Sequence, residues 1–173
     1  MSLPAPFRVC FVCSGNICRS PMAAAVLRRL VADADLAERV VVDSAGTGGW
    51  HLGAPADPRT HATLHRHGYA ADTDPARQWS ATDFAERDLV VALDRSHLRE
   101  LTRLAPDEPA RAKIRLLRPY GVAPGSPPLT GRDLDVPDPY YGGPAGFGEV
   151  FDLVENGCRG ILTAINDRLG VTR

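Results

Sequence analysis

Lysine is almost missing from this 173-residue sequence: 19 of its 20 basic side chains are arginine, and Lys113 is the exception. No glycine-rich run precedes that lysine, which excludes a Walker-type phosphate loop. An excess of charge is missing too. Twenty basic residues face 21 acidic ones, for a formal net charge of −1, so a grossly basic nucleic-acid binder is excluded. Four cysteines are too few for a disulfide scaffold in a chain of this length. No apolar stretch approaches the roughly 20 residues that a membrane span needs. Met1 to Arg8 has no charged segment followed by an apolar one, so no secretory signal is expected. Repeats and low-complexity tracts are likewise absent. What remains, 44% apolar and 24% charged, is the composition of an ordinary globule. A single domain over residues 1–173 is expected, in the cytoplasm with reduced thiols, with neither nucleic acid nor membrane as partner.

The pattern that is present alternates strands and helices. Val9-Cys10-Phe11-Val12 is a short apolar run before a glycine-containing turn and reads as a buried strand. Ser20-Pro21 has the form of an N-cap followed by proline in the first helical turn. Ala23, Leu27, Leu30, Val31 and Ala34 follow at helical spacing. Further strands are expected at Val40-Val41-Val42 (ending in Asp43-Ser44-Ala45-Gly46), at Leu89–Leu93 and at Ile114–Leu117. Helices are expected at about 58–67, 96–104 and 147–169. Gly157 and Gly160 count against the last of these, at about 1 kcal/mol each relative to alanine. Residues 119–148 hold seven of the 15 prolines and read as one long loop, a length unusual unless functional or disordered. The fold class is therefore α/β: a three-layer, four-stranded parallel sheet with helices on both faces.

The chemistry concentrates in Cys13-Ser14-Gly15-Asn16-Ile17-Cys18-Arg19-Ser20-Pro21. A strand ends, a tight turn follows, and a helix begins at once. That geometry points backbone N–H groups into one concavity, which suits a phosphate. Gly15 and Asn16 are residue types that tolerate positive φ. Arg19 adds a planar bidentate donor that lysine would not match. At the mouth of this positive site, the amide dipoles and Arg19 favour Cys13 as a thiolate, the activated nucleophile of phosphoryl transfer. Ser20 is placed to donate a hydrogen bond to that sulfur. A cysteine six residues before an arginine is common by chance; the strand–turn–helix context makes it specific.

Val12 to Ala23 resembles the signature loop of low-molecular-weight protein tyrosine phosphatases. Asp43-Ser44-Ala45-Gly46-Thr47, Gly49-Trp50-His51, Asp57-Pro58-Arg59 and Asp138-Pro139-Tyr140-Tyr141 follow in the family's order. The resemblance implies a phosphotyrosine phosphatase I-like fold, phosphotyrosine-containing protein substrates, no metal and no other cofactor. It assigns Cys13 as nucleophile, Ser14 to Cys18 with Arg19 as the phosphate cradle, and Asn16 with Ser44 as a supporting hydrogen-bond pair. On the residues alone Asp138 is divided between a turn aspartate and an acid, since Asp-Pro is a common turn dipeptide. The resemblance makes it the general acid, then the base for the hydrolytic water. Trp50, Tyr140 and Tyr141 would wall a slot for an aromatic ring, and in the family the paired tyrosines can themselves be phosphorylated. Cys18 is either a small core residue or the redox partner of Cys13 in a protective disulfide.

Other readings fail. Cys10 and Cys13 have CxxC spacing but point to opposite faces of a strand, and no second pair exists for zinc. His61 and His65 lack the glutamate of a zinc-protease helix. Gly46-Thr47-Gly48-Gly49-Trp50-His51 has a histidine where a dinucleotide loop needs its third glycine. Three rivals stay open. An arsenate reductase needs further cysteines near residues 80–100, where there are none. A protein arginine phosphatase carries threonine where this chain has Ile17. A catalytically silent phospho-binding module would not need Cys13, Arg19 and Asp138 together.

Overall fold

The computed structural model describes residues 4–171, and its sheet is built around β1 (Phe7–Cys13), whose last five residues are all buried. β2 (Val40–Gly46) pairs with one side of β1 and β3 (Leu89–Ala92) with the other. β4 (Ile114–Leu116) lies beyond β3, giving the order β2-β1-β3-β4 with every pair parallel. Parallel neighbours need crossovers. α1 (Arg19–Asp33) links β1 to β2, and α3 (Arg95–Leu104) with the short α4 (Glu108–Arg111) links β3 to β4. α2 (Pro58–Arg66) lies between β2 and β3, and α5 (Pro144–Leu169) follows β4.

The period-two alternation of β1 divides the core. Val9, Phe11 and Cys13 pack with Leu27 of α1 and with Phe147, Val154 and Ile161 of α5. Cys10 and Val12 pack on the opposite face with Trp79, Phe84, Leu101 and Ile114. Both faces of the sheet are thus covered, and Cys10 is separated from Cys13 as the strand period requires. The chain leaves β1 for β2 on one side and later crosses to β3 on the other. The C-terminal end of β1, where Cys13 sits, is the point at which strand order reverses, and open α/β sheets form their crevice there.

Three local expectations change, and the last helix holds through its glycines. α1 begins at Arg19, with Cys18 at its N-cap and no side-chain cap, while Ser20 lies inside the helix and fully buried. Its hydroxyl is engaged at the crevice instead of capping. α5 runs unbroken through Gly157 and Gly160 because the two glycines admit a neighbour. A Cβ at Gly157 would lie 2.6 Å from Leu117 Cδ1, and one at Gly160 would lie 1.8 Å from the Tyr120 carbonyl oxygen. The stretch 119–148 is not one loop: it holds single 3-10 turns at Arg118–Gly121 and Gly131–Leu134 and the first turn of α5. A 3-10 turn at Ala81–Glu86 and the helix α4 were not anticipated. Among the described residues no helix is long and apolar enough to cross a membrane.

Candidate active site

The turn between β1 and α1 is tied down through its carbonyl groups. Thr47 N donates to the Cys13 carbonyl at 2.8 Å, Gly48 N to that of Ser14 at 3.1 Å and Asp57 N to that of Ile17 at 2.8 Å. Thr60 Oγ1 adds bonds to the carbonyls of Ile17 and Cys18. These bonds turn the carbonyls outward. The amides of residues 14–18 have no acceptor among the described residues, so their N–H groups are left for the concave side at the N-terminus of α1.

Asn16 sets the shape of this turn. It adopts φ +59° and is buried, a conformation its short polar side chain tolerates. Its Nδ2 donates to Ser20 Oγ and to Ser44 Oγ, both at 2.8 Å, and its Oδ1 accepts from Arg77 N at 3.0 Å. The positive φ expected at Gly15 as well is found only at Asn16. Gly15 leaves room for the His51 ring, since a Cβ there would lie 2.8 Å from His51 Cδ2 and the ring would have to shift.

Cys13 Sγ lies 2.9 Å from Ser20 Oγ. Ser20 Oγ already accepts from Asn16, and its other acceptor, the Ala45 carbonyl, is at 3.4 Å. The Ser20 proton is therefore best placed on the sulfur. Arg19 is 4% exposed along its side chain. Its Nη1 donates to Asp94 Oδ2 at 2.8 Å and to the Val136 carbonyl at 2.9 Å. Its Nη2 is 3.6 Å from Asp138 Oδ2. For the second cysteine of the turn, burial and then the negative charge of Asp57 and Cys13 push the thiol up to about 12. Cys18 is thus held protonated.

Above this floor opens a cleft of about 480 Å³. Cys13, Ser14, Gly15, Ile17, Cys18 and Arg19 line its base, and Trp50, His51, Asp138, Tyr140 and Tyr141 line its walls. Asn16, Ser20 and Ser44 are not wall residues; they lie beneath and brace the turn. Trp50 is 73% exposed and Tyr141 90%, with the rings of Tyr140 and Tyr141 edge to face at 4.9 Å. Arg59 ties one wall to the floor. It pairs with the Asp57 carboxylate, donates to the carbonyls of Tyr140 and Gly142, and lies over the Phe147 ring.

A model of the low molecular weight phosphotyrosine protein phosphatase family matches residues 8–170. The chain belongs to that family. It is 56% identical over 163 residues to a low molecular weight protein-tyrosine-phosphatase of Streptomyces coelicolor, covering 94% of this chain and 96% of the relative. A protein tyrosine phosphatase structure from Entamoeba histolytica superposes with a TM-score of 0.84 at 33% identity, over 94% of this chain and 98% of the other. A Drosophila arginine phosphatase structure matches with a TM-score of 0.79 at 34% identity, over 91% and 96%.

Within this phosphatase-family fold, sequence reasoning missed Asp94, His97, His51 and the bridging part of Arg59. Asp94 is the N-cap of α3: its Oδ1 accepts from the amides of Ser96 and His97 while its Oδ2 holds Arg19. Burial opposes its ionised form. His97, the Ser96 hydroxyl and Arg19 outweigh that, so the carboxyl titrates below the usual carboxylate range. The signal was present, an aspartate between an apolar strand and a helix with a side chain able to answer it three residues on.

His97 is 2% exposed, and its Nε2 lies 2.8 Å from Ser14 Oγ. Burial pushes the imidazole down to about 4 from an ordinary 6.5, against the pull of Asp94. As pH falls the unfolded chain takes up this proton first. Stability present above about pH 6.5 is therefore lost progressively toward pH 4, by roughly 3 kcal/mol. Replacing His97 with asparagine is expected to flatten the urea midpoint between about pH 7 and about pH 4.5. An unchanged acid slope in that variant would contradict the assignment.

Proposed function

We propose that the chain is a protein-tyrosine-phosphatase that hydrolyses phosphotyrosine, and small aryl phosphates, through a phospho-Cys13 intermediate. One observation carries this reading: a sulfur hydrogen-bonded to Ser20 stands at the base of a cleft whose lining also holds Arg19 and Asp138, the two facing each other across 3.6 Å. In the first step the Cys13 thiolate attacks phosphorus, and an S–P bond forms as the P–O bond breaks. Asp138 gives its proton to the departing tyrosyl oxygen. Arg19 and the amides of residues 14–18 bind the phosphoryl oxygens, where charge spreads in the transition state. In the second step the Asp138 carboxylate takes a proton from water, whose oxygen attacks phosphorus. The S–P bond breaks and phosphate leaves. Ser20 stabilises the thiolate before attack and again as leaving group, while Asn16 and Ser44 hold Ser20 and the turn in place. Trp50 and the Tyr140–Tyr141 pair flank the ring of the substrate.

The chain's own groups supply nucleophile, acid and charge neutralisation, so the reaction as proposed uses no cofactor. A single phosphatase domain accounts for the matched span. Phosphotyrosine-containing proteins are its substrates. The cytoplasm is the fitting compartment, because Cys13 must remain a free thiol.

Ile17 at the base of the cleft, together with the aromatic pair at its wall, favours phosphotyrosine over phosphoarginine. With matched peptides, kcat/KM is expected to favour phosphotyrosine by roughly a hundredfold or more. The opposite order would overturn the substrate assignment.

Cys18 is proposed to guard the nucleophile. Peroxide oxidises the Cys13 thiolate to a sulfenic acid with reduction of the peroxide. Condensation with the Cys18 thiol releases water and leaves a disulfide that an added thiol reduces. Peroxide-treated protein should recover activity with dithiothreitol, whereas Cys18→Ala should not. Equal recovery of the two proteins would sink the idea.

A further inference from the structure

The first turn of α3 makes contacts that the phosphatase chemistry above does not use. Ser14 lines the cleft directly after Cys13, and its Oγ lies 2.8 Å from His97 Nε2. The direction of that hydrogen bond is fixed by the other ring nitrogen. His97 Nδ1 is 3.2 Å from Asp94 N and equally 3.2 Å from Asp94 Oδ1. The carboxylate oxygen is already occupied, since it accepts from Ser96 N, Ser96 Oγ and His97 N. Asp94 N, by contrast, has Nδ1 as its one acceptor among the described residues. Nδ1 therefore accepts, the ring proton sits on Nε2, and Nε2 donates to Ser14 Oγ. A buried imidazole with its charge suppressed is consistent with this tautomer.

A serine hydroxyl whose lone pair is taken by a fixed donor must send its own proton elsewhere. Ser14 Oγ has no second partner among the described residues, and Ser14 is one of the residues that line the cleft. We propose that His97 is a positioning residue which, through Nε2, aims the Ser14 hydroxyl proton at the phosphoryl group bound in the cleft. The inference rests on the phosphatase reading of that cleft and adds a donor to it. Asp94, at the N-cap of α3, orients Arg19, and His97, three residues on, orients Ser14. One helical turn thus sets two side-chain donors for the same anion. Donors held in place before the ligand arrives lose less rotamer freedom on binding, so the bond contributes more than a free serine would.

The competing account makes His97 only a buried cap of α3. Two replacements separate the accounts. Asparagine keeps an acceptor at the Nδ1 position for Asp94 N, but its amide stops short of Ser14. Glutamine places an Nε2 donor at the reach of the imidazole Nε2. The experiment compares Ser14→Ala, His97→Asn, His97→Gln and the Ser14→Ala/His97→Asn double variant. One readout is kcat/KM for phosphotyrosine. The other is calorimetric affinity for inorganic phosphate, with the same changes made in Cys13→Ser protein.

Ser14→Ala and His97→Asn should each lose roughly tenfold in both readouts. The double variant should lose no more than either single change, because both remove one unit. His97→Gln should retain most of the wild-type value. Losses that multiply to roughly a hundredfold in the double variant would overturn the proposal. So would a His97→Asn protein with wild-type phosphate affinity. If His97→Asn does not fold, Ser14→Ala decides alone, and unchanged phosphate affinity in it refutes the proposal. A wild-type protein inert toward phosphotyrosine would instead refute the phosphatase reading, while the phosphate titration would still decide on His97.

Discussion

Cys13→Ser is expected to abolish turnover of aryl phosphates, by at least ~10⁴-fold, while leaving phosphate binding in place. A serine hydroxyl is a weak nucleophile unless a base removes its proton, and the partner of Cys13 is Ser20, a donor. The binding half of the site does not depend on the sulfur. The amides of residues 14–18 are oriented by carbonyl bonds to Thr47, Gly48, Asp57 and Thr60, and Arg19 is held by Asp94 and Val136. Of these contacts only the Thr47 bond involves residue 13, through its backbone carbonyl, and none involves its side chain. Steady-state kinetics and phosphate calorimetry on the same preparation give the result. Full activity would exclude a sulfur nucleophile, and loss of both activity and binding would mean that the side chain holds the turn together.

Asp138→Ala should lose roughly 10²–10⁴-fold on phosphate esters with poor leaving groups and little on esters of acidic phenols. The phenol of tyrosine has a pKa near 10, so its oxygen departs badly unless it is protonated. A nitrophenolate departs without help. Asp138 is suited to the task by exposure and by restraint. Its side chain is 45% exposed, its backbone is flanked by Pro137 and Pro139, and its Oδ1 accepts from Tyr140 N at 3.1 Å. Its other oxygen faces Arg19 across 3.6 Å, beside the position where phosphate would bind. A series of aryl phosphates should therefore show a leaving-group dependence that steepens in the variant. A uniform loss across the series would assign Asp138 to binding or to the shape of the turn, not to proton transfer.

These two residues illustrate what could be read in advance. Cys13 and Arg19 belong to one short segment whose spacing and local structure imply their meeting, and the sheet and its helices follow from apolar runs of regular period. Asp138 was ambiguous as chemistry, because a turn aspartate beside proline looks the same, and only the family resemblance pointed to an acid. The contacts that orient Arg19 and Ser14 come from α3, about eighty residues away in the chain. No local pattern reports which strand end will lie beside which. Ser20 shows the opposite failure. Its sequence neighbours made it an N-cap, but burial beside Cys13 and Asn16 gave its hydroxyl other partners. Gly157 and Gly160 counted against the last helix because the residues that pack against them, Leu117 and Tyr120, are distant in sequence.

In this mechanism phosphate passes through Cys13, and a rapid denaturing quench during turnover would trap it there. Radiolabelled phosphotyrosine is mixed with the enzyme, the reaction is stopped within the first turnover, and the label is mapped to peptides. The account predicts label on the peptide containing Cys13, present in the wild type and absent from Cys13→Ser. Continued turnover with no label on that peptide would contradict it.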